Sequence, residues 1–289
     1  MNIRTKAEFS LASITAIWGF TFVIVKGALA DAAPLPFLAV RFVLAGLLLL
    51  VVLGRGRVGT ETILPGSIMG LFLFGGYLFQ TWGLVYTTPS KSAFLTGFSV
   101  ILVPLIMMLL GQKLGPATLL GAGLGLLGIY LLVAPSGMSG VNLGDIFTLI
   151  GATSFAVHIV LVGRYTKRFS FLHLVPVQIL VVGLLASAAL LVVPQQRLHF
   201  SPRFIVAILV TALLATGVAF SVQNWAQQYT PPAHTALIFA LEPVFAAISS
   251  WLVVGEHFRG RTLAGAGLIL AGMVVSEIWG ARVASPVEG

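Results

Sequence analysis

The sequence predicts an all-α membrane protein, with ten transmembrane helices arranged as two inverted five-helix repeats. Three observations carry that expectation. Of 289 residues, 58% are hydrophobic and only 8% charged, against roughly a quarter charged in an ordinary soluble domain, and the mean hydropathy is +1.06. Sixteen Lys and Arg with eight Asp and Glu cannot cover a water-facing surface, so part of the solvent must be lipid. The polar residues punctuate apolar runs of about 20 residues, the length that crosses a bilayer as a helix. Finally, the chain resembles itself at offsets of 137 to 144 residues.

The apolar runs fall at 9–30, 35–53, 65–86, 91–110, 116–134, 144–163, 171–193, 203–228, 233–254 and 261–279. Arg4 and Lys6 precede the first, and Ala28-Leu29-Ala30 resembles a cleavage site, as in a signal peptide. The run exceeds the roughly 7–15 residues of a signal core and has a counterpart later in the chain, so it is kept as a helix. Span two carries Arg41, span four Pro104, span six His158, and span nine Glu242-Pro243.

Ten spans put both termini on one face. If that face is cytoplasmic it collects Arg4, Lys6, Arg55, Arg57, Lys113, Arg164, Lys167, Arg168 and Arg282, nine in all, against Lys26, Lys91, Arg197, Arg203, Arg259 and Arg261 opposite. The excess predicts a multi-pass protein of the inner (plasma) membrane with cytoplasmic termini. The small margin suits a fold whose halves run in opposite directions.

The internal resemblance has three collinear parts. Gln80-Thr81-Trp82-Gly83-Leu84-Val85-Tyr86-Thr87 returns as Gln223-Asn224-Trp225-Ala226-Gln227-Gln228-Tyr229-Thr230 at offset 143. The glycine-spaced run 121–128 returns at 265–272, offset 144, and spans one and two fall on six and seven at offset 137. The last alignment pairs Trp18 with Phe155, Thr21 with His158, and Arg41 with Gln178. The units are a first repeat at 1–134, a linker at 135–143, a second repeat at 144–280, and a short cytoplasmic tail at 281–289. Five spans per repeat invert the second copy, a recurrent plan of secondary transporters with the substrate site at the repeat interface.

The composition also excludes functions. Zero Cys removes disulfides, thiol redox chemistry and Cys-ligated metals. No stretch is long enough for a soluble catalytic domain, and there is no GxxxxGK[ST] loop for nucleotide-driven pumping. No i,i+3 or i,i+4 histidine pair suggests zinc. The basic residues lie in short loops between spans, which argues against a nucleic-acid partner. The expectation is a non-enzyme with no cofactor or metal, whose partners are a small-molecule substrate and the lipid bilayer. A monomer is expected, with a dimer as the alternative. An intramembrane hydrolase would have to use His158 with Ser154, and a channel would need a longer polar stripe than these spans contain.

The candidate site residues are those that sit polar or aromatic at mid-span. Glu242 is the only carboxylate deep in a span and should face a cavity or a partner; it either receives an ammonium or shuttles a proton, or, protonated, caps the backbone loosened by Pro243. His158 lies mid-membrane, either titrating or bonded to a neighbouring helix. Gln80 and Gln223 occupy equivalent positions with amides that both donate and accept, either lining a cavity, with Tyr77 and Asn224 close by in sequence, or bonding between helices. Trp18, Phe98, Phe155 and Phe239 fall where no interface needs an aromatic ring, and are either walls for an apolar substrate or ordinary packing. Thr21 and Ser99 complete the candidate binding set, with Glu242-Pro243 falling on Phe98-Ser99 in a gapless alignment. Pro104 and Pro243 are candidate gating bends. Arg41, about 9 Å into span two, either snorkels to the headgroups or clamps a carboxylate. The glycines at 121, 125, 128, 265, 267 and 272 form close-packing faces.

Together these segments resemble the ten-helix EamA-type members of the drug/metabolite transporter superfamily over about 9–279. The resemblance rests on Trp18-Gly19, Arg41, Ala93-Phe94-Leu95-Thr96-Gly97 leading to Val103-Pro104-Leu105, Tyr229-Thr230-Pro231-Pro232-Ala233, Leu241-Glu242-Pro243-Val244, Gly255-Glu256 and the glycine-spaced last helix. It implies a gradient-driven transporter of small metabolites, amino-acid exporters, including those for aromatic amino acids, being among the known relatives, and it alone supplies the outward direction. Glu242 in span nine and the lack of a mid-membrane Lys disfavour anionic cargo. The expected function is therefore export of amino acids, aromatic and hydrophobic ones included, by alternating access through a cavity lined by spans one, three, four, six, eight and nine. The alternative is a proton-coupled exporter of cationic drugs or other neutral metabolites.

Overall fold

The computed structural model describes residues 2–53, 58–112, 115–133, 142–193, 197–258 and 260–283. Arg55, Arg57, Lys113, Arg259, most of the expected linker and the last tail residues lie outside this set. Among the described residues the chain is helical, with one isolated bridge between Ala32 and Leu198 as its only β pairing.

The first repeat holds α1 (Ile3–Ala28), α2 (Pro34–Val52), α3 (Ile63–Tyr86), α4 (Pro89–Thr96), α5 (Ser99–Leu109) and α6 (Pro116–Val133). The second holds α7 (Leu143–Tyr165), α8 (Phe171–Ala189), α9 (Pro202–Ala212), α10 (Ala219–Ala226), α11 (Pro232–Phe239), α12 (Glu242–Val254) and α13 (Gly260–Val283). Eight spans among the described residues are long and apolar enough to cross a membrane by themselves; α6 and α13 bring the number to ten. Five of these helices begin on proline, whose fixed φ and missing N–H cost nothing in a first turn. α1 starts earlier than its apolar run because Asn2 caps it and Arg4 pairs with Glu8 at 2.8 Å.

Three spans are not continuous α-helices. Span four breaks at Gly97-Phe98 between α4 and α5, and span nine breaks at Ala240-Leu241 between α11 and α12. The two breaks are repeat equivalents at offset 143, which aligns Ser99 with Glu242 and corrects the gapless pairing by one residue. Pro243 deprives the Phe239 carbonyl of its helical donor, so the second break lies just ahead of it. Pro104 is different: it sits buried inside α5, which continues through it to Leu109, so the bend expected there lies at Gly97-Phe98 instead. In span eight, Leu213–Val218 forms a π-helical stretch between α9 and α10, of the kind often found at functional sites.

The packing is two-fold. α2 packs on α8 and α6 on α13, each pair being its own repeat counterpart. The other principal pairs come in matched sets: α3 on α7 answers α1 on span eight, and α1 on α12 answers α7 on α5. The fifth helices approach at backbone distance. A Cβ on Gly128 would lie 2.6 Å from the Gly265 carbonyl oxygen, and one on Gly272 would lie 2.5 Å from that of Gly121.

Ties between repeats differ at the two ends of the bundle. On the face opposite the N-terminus, Lys91 pairs with Asp145 at 2.7 Å, Thr88 and Ser90 donate to Glu256, and Arg197 donates to the Leu29 carbonyl. Asp31 accepts there from Arg203 and Ser201, and those hydrogen bonds hold its carboxyl below the usual carboxylate range. On the N-terminal face, His234 meets Glu8 at 3.2 Å.

Candidate functional site

Where the repeats meet, the helices leave a cavity lined by side chains from both halves, the kind of concave site in which small molecules bind. Its lining follows the pseudo-two-fold. At offset 137 it contains Trp18 with Phe155, Thr21 with His158, and Phe22 with Ile159. At offset 143 it contains Tyr77 with Phe220, Gln80 with Gln223, Thr96 with Phe239, and Ser99 with Glu242. The cavity therefore lies on the axis that relates the two halves. It reaches beyond the axis on one side only, to Val25 and Leu84, whose equivalents Val162 and Gln227 are fully buried.

Of the residues singled out from sequence, the structure brings together Trp18, Thr21, Tyr77, Gln80, Ser99, Phe155, His158, Gln223, Phe239 and Glu242 around this space. Phe98 is the exception. It precedes α5 and packs with Phe94, Leu95 and Ile101 beside the cavity, since the break turns it away while Ser99 lines the wall. The expected lining spans all contribute, and span two joins them through Arg41.

Arg41 corrects the snorkelling expectation. It is 3% exposed, and its Nε donates to Thr216 Oγ1 in the π-helical stretch at 2.9 Å. The guanidinium lies 4.9 Å and 4.7 Å from the ring centroids of Phe42 and Tyr77. The reason is which face of α2 turns inward: Phe37, Leu38, Phe42 and Ala45, at helical spacing from Arg41, are wholly buried, whereas Leu44, Leu47, Leu48 and Val51 are exposed. Thus a fixed cation does stand at the cavity, contrary to the premise that disfavoured anionic groups.

The aromatic wall is continuous. Phe239 meets Trp18 edge-on at 5.1 Å, Trp18 meets Phe220 at 5.4 Å, and Phe155 meets Tyr77 edge-on at 5.2 Å. The Trp18 indole is fixed by donation to the Ala215 carbonyl at 2.8 Å. Phe220 and Thr96 were missed from the sequence; offset 143 from Tyr77 would have found Phe220.

His158 stands at the end of a polar chain. Its Nε2 lies 2.7 Å from Gln178 Oε1, Gln178 Nε2 donates to Asn224 Oδ1, and Asn224 Nδ2 donates to the Phe220 carbonyl. That carbonyl only accepts, so it sets the direction of both amides and puts the proton on Nε2 of a neutral His158. Nδ1 is left as an acceptor. No hydrogen bond joins His158 to Ser154 among the described residues, so the nucleophile–base pair of a hydrolase is not formed.

Two further groups are incompletely satisfied. Gln223 Oε1 is buried without a hydrogen-bond partner among the described residues, while its Nε2 donates to Gln227. Glu242, the first residue of α12, lines the cavity with no ion pair among the described residues. No cluster of potential metal ligands occurs among them either.

Comparison with known proteins agrees with this architecture. The profile of the EamA-like transporter family matches residues 5–134 and again 142–277. The chain belongs to the EamA-like transporter family. This EamA-like transporter is 35% identical over 276 residues to an uncharacterized transporter of Archaeoglobus fulgidus, covering 95% of the chain and 87% of that relative. It is 25% identical to a probable amino-acid metabolite efflux pump of Salmonella typhimurium, with 96% of each chain covered. A solved crystal structure superposes with a TM-score of 0.76 at 18% identity, over 97% of this chain and 99% of that one, a likeness of fold.

Proposed function

We propose that this EamA-like transporter is an inner-membrane secondary carrier exporting small, partly hydrophobic metabolites, foremost amino acids with aromatic or hydrophobic side chains. The observation that carries the reading is the cavity on the repeat axis, walled by paired aromatic and polar side chains. The Salmonella relative described as a probable amino-acid metabolite efflux pump supports the substrate class. The Lys and Arg distribution supports a cytoplasmic N-terminal face. Substrate is taken up there and released opposite as the inverted repeats rock about the cavity. Arg41 at the wall weighs against a cationic drug as cargo, because like charge is repelled in a desolvated site.

Counterflow in proteoliposomes of purified protein, with labelled Phe, Trp, Met and Thr, tests the reading. Saturable accelerated exchange of these is expected, and no exchange of any amino acid by folded protein overturns it. The cysteine-free chain allows a second check. Val25→Cys is expected to react with an impermeant maleimide, and Val162→Cys to resist until substrate drives the cycle. Equal, substrate-independent labelling of both would mean a channel.

A further inference from the structure

Among the described residues the cavity is lined by one fixed cation, Arg41, and one carboxyl group, Glu242, and the two do not pair with each other. In a low-dielectric interior such an arrangement is costly, and opposite charges free to meet would do so. They are held apart by the fold. Arg41 is tied to span eight through Thr216 and lies against the adjacent rings of Phe42 and Tyr77, while Glu242 opens α12, which packs on α1.

The ties on Arg41 leave part of its fork unused. Nε is taken at 2.9 Å, but Nη2 has only long contacts, 3.4 Å to Tyr77 Oη and 3.5 Å to the Ala215 carbonyl. Nη1 has no hydrogen-bond partner among the described residues. A guanidinium in this state still offers its two Nη groups to a planar, two-oxygen anion. Glu242 offers the complementary acceptor, and the side chains of His158 and Gln223 line the same space. The aromatic wall between these groups takes an apolar side chain.

We propose that the cavity recognises zwitterions through two charged poles, with the ligand carboxylate on Arg41 and the ligand ammonium on Glu242. This deepens the carrier reading above and rests on it. Binding then pairs both protein charges at once, and a ligand with one pole leaves the other protein charge buried and unpaired. Losing one partner of such a pair costs affinity by about 30-fold or more.

The test compares L-phenylalanine with phenethylamine, which lacks the carboxylate, and 3-phenylpropionate, which lacks the ammonium. 5-Aminovalerate serves as a zwitterion that is not an α-amino acid. Ligand-dependent thermal stabilisation of purified protein gives the binding order, alongside the counterflow assay. For the unaltered protein, L-phenylalanine is expected to bind about 30-fold or more tightly than either single-pole ligand. Arg41→Gln should abolish its advantage over phenethylamine alone, and Glu242→Gln its advantage over 3-phenylpropionate alone, an exchange of preferences that a merely structural role would not produce. Should Arg41→Gln fail to fold, Arg41→Lys keeps the charge without the fork and should narrow the first advantage only. Amino-acid exchange with all three phenyl ligands binding equally overturns the two-pole proposal and leaves the carrier reading standing. No amino-acid exchange, with 5-aminovalerate bound and dependent on both poles, does the reverse. Equal loss of every ligand in folded variants, or no zwitterion bound at all, overturns the proposal.

Discussion

Glutamine at position 242 is expected to slow amino-acid counterflow by about 30- to 1,000-fold while leaving expression, membrane insertion and monodispersity unchanged. Glu242 lines the cavity as the first residue of a half-helix and has no ion-pair partner to lose among the described residues, so replacement by the isosteric amide should not destabilise the fold. The loss falls on transport alone. Glutamine keeps the volume and one acceptor oxygen, which confines the change to charge. Counterflow at the unaltered rate in the variant would remove Glu242 from the mechanism.

The second large effect concerns a methyl group. A Cβ on Gly19 would lie 2.5 Å from Phe245 Cβ, 2.7 Å from the Glu242 carbonyl oxygen and 2.9 Å from the Ala246 nitrogen. None of these can rotate aside, so Gly19→Ala must push α12 off α1. Overpacking of this kind costs about 1–3 kcal/mol and displaces the helix that positions Glu242. A lowered melting temperature together with impaired transport is the expected outcome. Gly267→Ala is the control: nothing stands within 4 Å of its Cβ, and relief of glycine's helix penalty should leave stability equal or higher by up to about 1 kcal/mol. A Gly19→Ala protein as stable as the control would contradict the contact.

The spans were legible because apolar length and proline punctuation are local properties. Pro34, Pro89, Pro116, Pro202 and Pro232 each open a helix close to where the runs begin. Most of the cavity was legible too, since a polar or aromatic residue at mid-membrane has few places to go. What could not be read was which side of an all-apolar helix faces inward. In α2 every turn is greasy, so nothing marked Arg41 as interior, and its partner Thr216 sits in a π-helical stretch whose sequence, Leu213–Val218, carries no signal of it. Phe98 failed for a related reason: one residue of alignment error across a helix break moves a side chain from the cavity wall to the packing behind it.

Among the described residues the glycine-clasped pair α6 and α13 contributes nothing to the cavity wall, yet it joins the two repeats at backbone distance. The point of firmest attachment between the halves is thus set off to the side of the substrate's path. In the carrier proposed above, such a placement would make the pair a fulcrum: the remaining helices would tip about it, trading one open end for the other, while the halves never let go of each other.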